Sequence, residues 1–248
     1  MSRLPAYYSQ LAPFRRLFEQ GNPILTYHKI GPRPPRPRMK GLYLSAKLFR
    51  RQLQELRAAG FTSGSLDACA GPRQGRRLVI TFDDGYVNVL SHTLQPLADT
   101  KFQAVQFLVA DLLGKCNEWD VPLGETPEPM MDAAQVREWL AAGHEIGSHT
   151  LTHPWLLSLP PAQAREEIVA SKKKLEDLFD RPIEHFCYPY GNWNEAVRDL
   201  VIEAGYRTAV TTDPGVNDAQ TSPFSLKRVT ARYPTRSLKN LLHWLRNP

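Results

Sequence analysis

The chain has 248 residues, of which 42% are hydrophobic and 23% charged, and its formal net charge is +6. This is enough for one sizeable core, and an α/β barrel or a large doubly wound sheet would both fit as a single domain. The basic balance suits acidic glycans, lipid phosphates or nucleic acid, or no more than a soluble protein whose charge is away from zero. Zinc-finger spacing and an aromatic–basic RNA-binding signature are both missing, so we expect no nucleic-acid partner.

The three cysteines, Cys69, Cys116 and Cys187, are odd in number and widely spaced. This pattern favours reduced thiols over a disulfide framework, and so a reducing compartment. The first 20 residues lack the apolar run of a signal peptide, and no stretch approaches the roughly 20 apolar residues of a membrane span. We therefore predict a cytoplasmic protein, with peripheral contact at the inner membrane surface left open. The segment YYSQLAPFRRLF could lie on that surface, but a packing helix is favoured.

Strand-like and helix-like segments alternate along the chain. In order, they are a strand at 24–27, a helix at 46–59 capped by Ser45, a strand at 77–82, a helix through about residue 99, a strand at 103–110, a helix begun by the capping box of Asp132 and Gln135 and ending near Gly143, a strand at 144–149, a helix at 161–179, a strand at 184–189, a helix at 194–204, strands at 206–212 and 226–230, and a helix near 237–246. The Pro-rich basic patch at 31–40 is expected to be an extended loop. The alternation predicts a parallel sheet with covering helices, either open and doubly wound or closed into a barrel. Residues 1–21 are expected to be an N-terminal extension, and 22–248 one domain.

Polar residues stand directly after four of these strands. His28 follows the strand at 24–27, and Asp83 and Asp84 follow the strand at 77–82. His149 and His153 follow HEIGS (144–148), and Tyr190 follows the strand at 184–189; these are the candidate site residues. The carboxyl ends of parallel strands meet at one rim, so a single site is expected there.

Adjacent carboxylates on an extended chain point apart, so Asp84 can bind a metal while Asp83 stays free as a base. One helical turn would place His149 and His153 on one side, and imidazole suits zinc and its neighbours. Two His and one carboxylate describe a hydrolytic metal site and equally a non-haem iron oxygenase site. The spare Asp83 favours hydrolysis, because activating water needs a nearby base. A DDG turn and an incidental His pair are the alternatives.

Three motifs in this order, TFDDG (81–85), HTLTHP (149–154) and YPYG (188–191), resemble the polysaccharide deacetylase family, the NodB-like carbohydrate esterases. The resemblance implies a single-domain α/β fold, a distorted (β/α)7 TIM-like barrel. It implies that Asp83 is the base, that Asp84, His149 and His153 hold one divalent metal, and that the Tyr190 backbone N–H binds the oxyanion. Zn²⁺ is the expected metal, with Co²⁺ or Ni²⁺ as alternatives.

Two family features are missing from their usual places. The Arg expected two residues before the Pro of YPYG is replaced by Cys187, and we hypothesise that Arg228 supplies the guanidinium instead; a surface Arg is the alternative. The usual C-terminal Leu-x-His motif is also missing. The His after the strand ILTY resembles the permuted arrangement of the poly-N-acetylglucosamine deacetylase branch, which implies that His28 is the general acid. A structural His at a strand end is the competing interpretation.

The predicted reaction is hydrolysis of an N-acetyl group on an amino sugar of a glycan or glycan precursor, with a lipid- or nucleotide-linked sugar among the candidate substrates. Sugar-stacking faces are available from Trp119, Trp155, Trp193 and Tyr190, and residues 114–129 are expected to form a long loop beside the site. The alternatives are a metal-dependent amidohydrolase acting on a non-sugar amide, a non-catalytic carbohydrate-binding protein and an iron-dependent oxygenase.

Overall fold

The computed structural model describes residues 7–35, 37 and 39–232. The helix predicted near 237–246 lies outside the described residues. The strands are β1 (Tyr7–Tyr8), β2 (Ile24–Tyr27), β3 (Lys29–Ile30), β4 (Tyr43–Leu44), β5 (Thr62–Ser63), β6 (Arg77–Phe82), β7 (Ala104–Leu108), β8 (Glu145–Ser148), β9 (His185–Cys187), β10 (Thr208–Pro214) and β11 (Leu226–Ala231). The helices are α1 (Arg15–Gln20), α2 (Ala46–Ala58), α3 (Val87–Thr100), α4 (Ala133–Ala141), α5 (Pro161–Phe179) and α6 (Glu195–Glu203).

Seven parallel strands form a closed barrel in the order β2, β6, β7, β8, β9, β10 and β11. The barrel closes where β11 pairs with β2, with Val229 opposite Leu25. Helices cover the outside, so the predicted (β/α)7 barrel is confirmed and the open sheet is wrong. The N-terminal strand β2 lies between β6 and β11, in the place that a last strand would otherwise take.

Local signals in the sequence explain where the helices start. The Ser45 hydroxyl accepts a hydrogen bond from the backbone N–H of Leu48 at the start of α2. Asp132 and Gln135 form the predicted capping box of α4. Such caps satisfy backbone N–H groups that have no partner within the helix, so they fix its first turn. The helix predicted at 161–179 and the strand predicted at 77–82 have the predicted bounds.

The first described residues pack on the barrel. Strand β1 pairs with β11 at the register Tyr7 to Thr230. Phe14 and Phe18 are buried in the same core as the barrel helices. Within YYSQLAPFRRLF, the side chains of Tyr8, Phe14 and Phe18 therefore face protein. Among the described helices, none combines the length and the apolar character that crossing a membrane requires.

Side chains alternate between the two faces of each barrel strand. A compact apolar cluster contains Ile24 of β2, Val79 of β6 and Leu226 of β11. Their neighbours Leu25 and Ile80 belong to the larger core under the helices. Side chains two residues apart share a face of a strand, so residues two and four positions after these apolar ones also point into the barrel, nearer its carboxyl end. This alternation carries polar side chains into the carboxyl-end mouth of the barrel.

Candidate metal and catalytic centre

The strand ends meet in one cavity of about 420 Å³. All six residues singled out by the sequence line it, namely His28, Asp83, Asp84, His149, His153 and Tyr190. Asp83, Asp84, His149 and His153 are each at most 5% exposed. Buried polar groups at such density need partners or a ligand, because burial of an unpaired charge is costly.

Asp84, His149 and His153 form a group with metal-ligand geometry. Their ligand atoms all lie within 4.8 Å of one another. Asp84 Oδ1 is 3.3 Å from His149 Nε2 and 3.4 Å from His153 Nε2. Ligand bonds of about 2.1 Å in a tetrahedral arrangement put neighbouring donor atoms about 3.4 Å apart. The donor set and its spacing therefore fit one divalent metal.

The two imidazoles differ in their surroundings. His149 Nδ1 donates to the backbone carbonyl of Cys187 at 2.7 Å, and its Nε2 faces Asp84. Burial opposes a charge on His149, but Cys187 and Asp84 together bring its pKa well above the ordinary value. Orientation of a ligand imidazole through its second nitrogen is usual at metal sites. Burial lowers the pKa of His153 to about 3, so this ring is neutral at physiological pH.

Backbone strain is concentrated at this centre. Six non-glycine residues in the described part of the chain have positive φ, and Asp84, Thr150, His153 and Tyr190 are four of them. Such conformations persist only where the surrounding structure imposes them, and they are frequent at functional sites. They also correct one expectation: the segment from His149 to His153 is a tight loop, not a helical turn. The reversed φ at Thr150 and His153 brings the rings to 4.8 Å between centroids.

The guanidinium of Arg228 on β11 holds the carboxylate of Asp83, which follows β6. Arg228 Nη1 and Nη2 donate to the two carboxylate oxygens at 2.7 and 2.8 Å. Arg228 is 1% exposed, so the alternative of a surface Arg is wrong. Burial alone would raise the pKa of Asp83, but the Arg228 guanidinium and His28 together bring that pKa below its ordinary value. Asp83 is therefore a carboxylate at neutral pH.

Cys187 is a buried neighbour of this pair. Its Sγ lies 3.4 Å from Arg228 Nη2. Burial raises the pKa of the Cys187 thiol, so it stays protonated. A small side chain on β9 thus leaves room for the guanidinium that reaches in from β11.

His28 lies beside Asp83 in the cavity. Its Nε2 lies 3.5 Å from Asp83 Oδ2, and its side chain is 20% exposed. Burial lowers the pKa of His28, and the charges of Asp83 and Asp84 oppose that effect. The imidazole therefore lies beside the Asp83 carboxylate and within the electrostatic field of the metal-ligand group.

The Tyr190 backbone is fixed by a close approach of two strand ends. Tyr190 has φ of 60°, and Gly191 after it has φ of 69°. A Cβ on Gly191 would lie 2.0 Å from Thr212 Oγ1, so only glycine fits here. The Tyr190 ring stacks on Trp155 with centroids 4.2 Å apart and planes at 7°.

One wall of the cavity carries a residue, Asp120, that the sequence did not single out. The 3-10 turn Glu118–Leu123 brings Trp119 and Asp120 to the cavity. Trp119 stacks on His153 with centroids 4.3 Å apart. Burial and the nearby Asp84 charge raise the pKa of Asp120 to about 6, and the charge of Lys29 opposes this. The sequence predicted this wall through the 114–129 loop and through Trp119, which lines the cavity.

The chain is thus an α/β-barrel protein with a His–His–Asp group of possible metal ligands and a separate Arg-held carboxylate at the mouth of the barrel. The sequence model of the family described as "Polysaccharide deacetylase" matches residues 70–209. The chain belongs to this family.

Individual relatives agree with that assignment. YxkH of Bacillus subtilis (strain 168), a protein assigned to the polysaccharide deacetylases, is 28% identical over 213 residues, which cover 84% of this chain and 70% of the relative. A peptidoglycan-N-acetylglucosamine deacetylase of Bacillus cereus is 27% identical over 158 residues, covering 63% of this chain and 64% of that protein. The fold matches that of the Streptococcus pyogenes deacetylase PplD solved with acetate, with a TM-score of 0.74, 23% identity and coverage of 90% of this chain and 96% of PplD.

Proposed function

We propose that this protein is a metal-dependent hydrolase that removes N-acetyl groups from an amino sugar of a glycan or glycan precursor and releases acetate. The observation that carries the proposal is that two adjacent carboxylates have different partners. Asp84 points into the metal-ligand group, while Asp83 is turned to Arg228 and His28. A binding module has no need for this second, separately held carboxylate.

The proposed chemistry assigns a task to each residue. When bound by Asp84, His149 and His153, a divalent metal, with Zn²⁺ preferred over Co²⁺ or Ni²⁺, supplies Lewis-acid polarisation of the acetyl carbonyl. Asp83 takes a proton from the attacking water. The Tyr190 backbone N–H donates to the oxyanion that forms as water adds to the carbonyl carbon.

His28 donates a proton to the amide nitrogen as the carbon–nitrogen bond breaks. Acetate and a free amino sugar are the products. His28 Nε2 lies 3.5 Å from Asp83 Oδ2 and both residues line the cavity, which supports an acid and a base within reach of the same bound acetamido group.

A sugar substrate is supported by the cavity and by the relatives. Trp119 and Tyr190 both line the cavity, and aromatic faces pack well against the apolar face of a pyranose. The B. cereus relative is named for action on peptidoglycan N-acetylglucosamine. We extend to this chain the broader class, an N-acetylated amino sugar, with a lipid or nucleotide carrier as a further proposal.

The cellular location is also a proposal. A cytoplasmic place, with contact at the inner membrane surface, agrees with three free cysteines. Fractionation of cells into soluble, membrane and exported pools, with detection of the full-length chain, tests this. Recovery in the exported pool alone would contradict it.

The decisive experiment measures acetate release from N-acetylglucosamine oligomers and from UDP- and lipid-linked N-acetyl sugars. It compares metal-stripped protein, the same protein with Zn²⁺ or Co²⁺ restored, and Asp83→Asn. We expect release that depends on metal and is lost in Asp83→Asn. Release only from non-sugar amides would establish an amidohydrolase instead, and sugar binding without release from any substrate would establish a binding protein.

A further inference from the structure

A carboxylate outside the proposed catalytic set faces the same cavity. Asp120 lines it together with the metal-ligand residues, yet it is absent from the clusters of described residues with metal-ligand spacing. It is 3% exposed. None of the ion pairs formed by described residues includes Asp120. A buried carboxylate without a cation partner is costly, so its place on the cavity wall calls for a function.

The local structure holds Asp120 by one oxygen only. The fully buried Asn117 donates from Nδ2 to Asp120 Oδ2 at 3.0 Å, and from the same nitrogen to the Tyr86 hydroxyl at 3.0 Å. Asn117 Oδ1 accepts from the backbone N–H of Glu128, which ties together the two ends of the loop. Within the described part of the chain no donor reaches the second oxygen, Oδ1. An ionised carboxylate can accept several hydrogen bonds, so acceptor capacity is left for a ligand.

A buried cation, Lys29, acts on Asp120 through its charge but forms no ion pair with it. The Lys29 ammonium lies over the rings of Tyr43 and Tyr86, 4.9 and 4.6 Å from their centroids. Lys29 is fully buried and also lies within 3.4 Å of the Tyr43 hydroxyl. This cation stabilises negative charge on the wall at a distance, while leaving the carboxylate without a direct ion pair.

Aromatic faces flank the carboxylate. Trp119, the preceding residue, stacks on His153, and the Tyr190 ring lies 4.6 Å from His153 between centroids. A sugar ring offers an apolar face of C–H groups and an edge of hydroxyl donors. Aromatic surface beside a fixed acceptor matches both features in one small cavity.

We propose that Asp120 is a specificity-determining residue that accepts a hydrogen bond from a ring or hydroxymethyl hydroxyl of the sugar bound in the cavity. This rests on the proposed function and specifies its substrate class: an amino sugar that carries a free hydroxyl at the position reached by Asp120. A hydroxyl bound to an ionised acceptor makes a strong hydrogen bond. A site built for such a donor discriminates strongly against an analogue that lacks it.

The test crosses protein variants with substrate variants. Wild type, Asp120→Ala and the matched control Glu118→Gln, an exposed residue on the same turn, are assayed with N-acetylglucosamine disaccharides lacking the 3-, 4- or 6-hydroxyl of the reacting sugar. We expect wild type and control to lose about 10- to 100-fold in kcat/KM on one deoxy substrate. Asp120→Ala should show that loss on the parent substrate, chiefly through KM, and no further loss on that deoxy substrate.

Equal deoxy penalties in wild type and Asp120→Ala would overturn the proposal, as would lost metal content or a lowered melting temperature in the variant that accounts for its whole defect. If wild type releases no acetate, the proposed function fails separately. Binding of N-acetylglucosamine oligomers, followed by tryptophan fluorescence, then still tests Asp120. Affinity that is unchanged between wild type and Asp120→Ala would reject the assignment.

Discussion

The two terminal nitrogens of Arg228 meet the two carboxylate oxygens of Asp83 at 2.7 and 2.8 Å, and both side chains are buried. The Arg228 Nε also donates to the Thr211 carbonyl at 2.8 Å, so the guanidinium is fixed at both ends. A planar fork held in this way sets the orientation of the carboxylate as well as its charge. The pair therefore couples β11 to β6 across β2.

Replacing Arg228 should impair both stability and turnover. We expect Arg228→Ala to lower the free energy of unfolding by about 3–5 kcal/mol, because it strands a buried carboxylate. Arg228→Lys keeps the positive charge but loses the bidentate hydrogen bonds of the guanidinium. We therefore expect it to retain most of the stability and to lose most of the activity. Chemical denaturation and acetate release measure the two effects. The double variant Arg228→Ala/Cys187→Arg should recover part of the activity. If it recovers stability but no activity, a guanidinium presented from β9 cannot replace the one from β11.

Asp83→Asn should separate catalysis from metal binding. We expect kcat to fall about 10²- to 10⁴-fold, because the amide cannot take a proton, while the metal content stays that of wild type. Asp84→Asn is the matched partner and should lose metal as well. Metal analysis beside steady-state kinetics checks this. A loss of metal in Asp83→Asn equal to that in Asp84→Asn would assign both carboxylates to the ligand set.

Removing the metal should lower the melting temperature, and this effect should depend on the three proposed ligands, Asp84, His149 and His153. Zn²⁺ at 100 times its dissociation constant should stabilise the native state by about 2.7 kcal/mol, because it binds the folded form. Melting temperature with and without Zn²⁺ measures this for wild type, His153→Ala and the control His92→Gln. The shift should vanish in His153→Ala and persist in the control. An undiminished shift in His153→Ala would place the metal elsewhere.

Stability should fall with acid because of His144. The residue is 5% exposed, its Nδ1 has no hydrogen-bond partner within the described residues, and burial lowers its pKa to about 4. The unfolded chain, with a pKa near 6.5, binds the proton first as pH falls. The stabilising contribution of neutral His144 is thus full above about pH 6.5 and declines toward pH 4.

Urea denaturation across that pH range compares wild type with His144→Phe, which keeps an aromatic ring against Trp139. We expect wild type to lose about 2 kcal/mol more than the variant between pH 7 and 4.5. Parallel losses would show that other groups determine the acid sensitivity.

The alternation of strands and helices was readable from the sequence because buried parallel strands and amphipathic helices leave strong periodic patterns. The same period of two indicates Arg228, since it shares an inward face of β11 with Leu226, just as Asp83 shares one of β6 with Val79. Loop geometry was not readable in this way. The reversed φ at Thr150 and His153 depends on packing around the site, and it made the predicted helical turn wrong.

The position of Asp120 in the cavity could not be predicted from the sequence, for a related reason. Its position depends on Asn117 and on a loop whose ends are joined by tertiary hydrogen bonds. No local pattern distinguishes such an Asp from an ordinary solvated one.

The closure of the barrel by β2 has a consequence for how the chain folds. Leu25 pairs with Val229, so the seam joins segments roughly 200 residues apart, and such long-range pairings form slowly. His28 lies at the end of β2, and Arg228 lies on β11. During synthesis the proposed acid emerges early, and the partner of the base emerges only after most of the barrel. Proton transfer chemistry should therefore be absent from every partly made chain and should appear only when the seam closes.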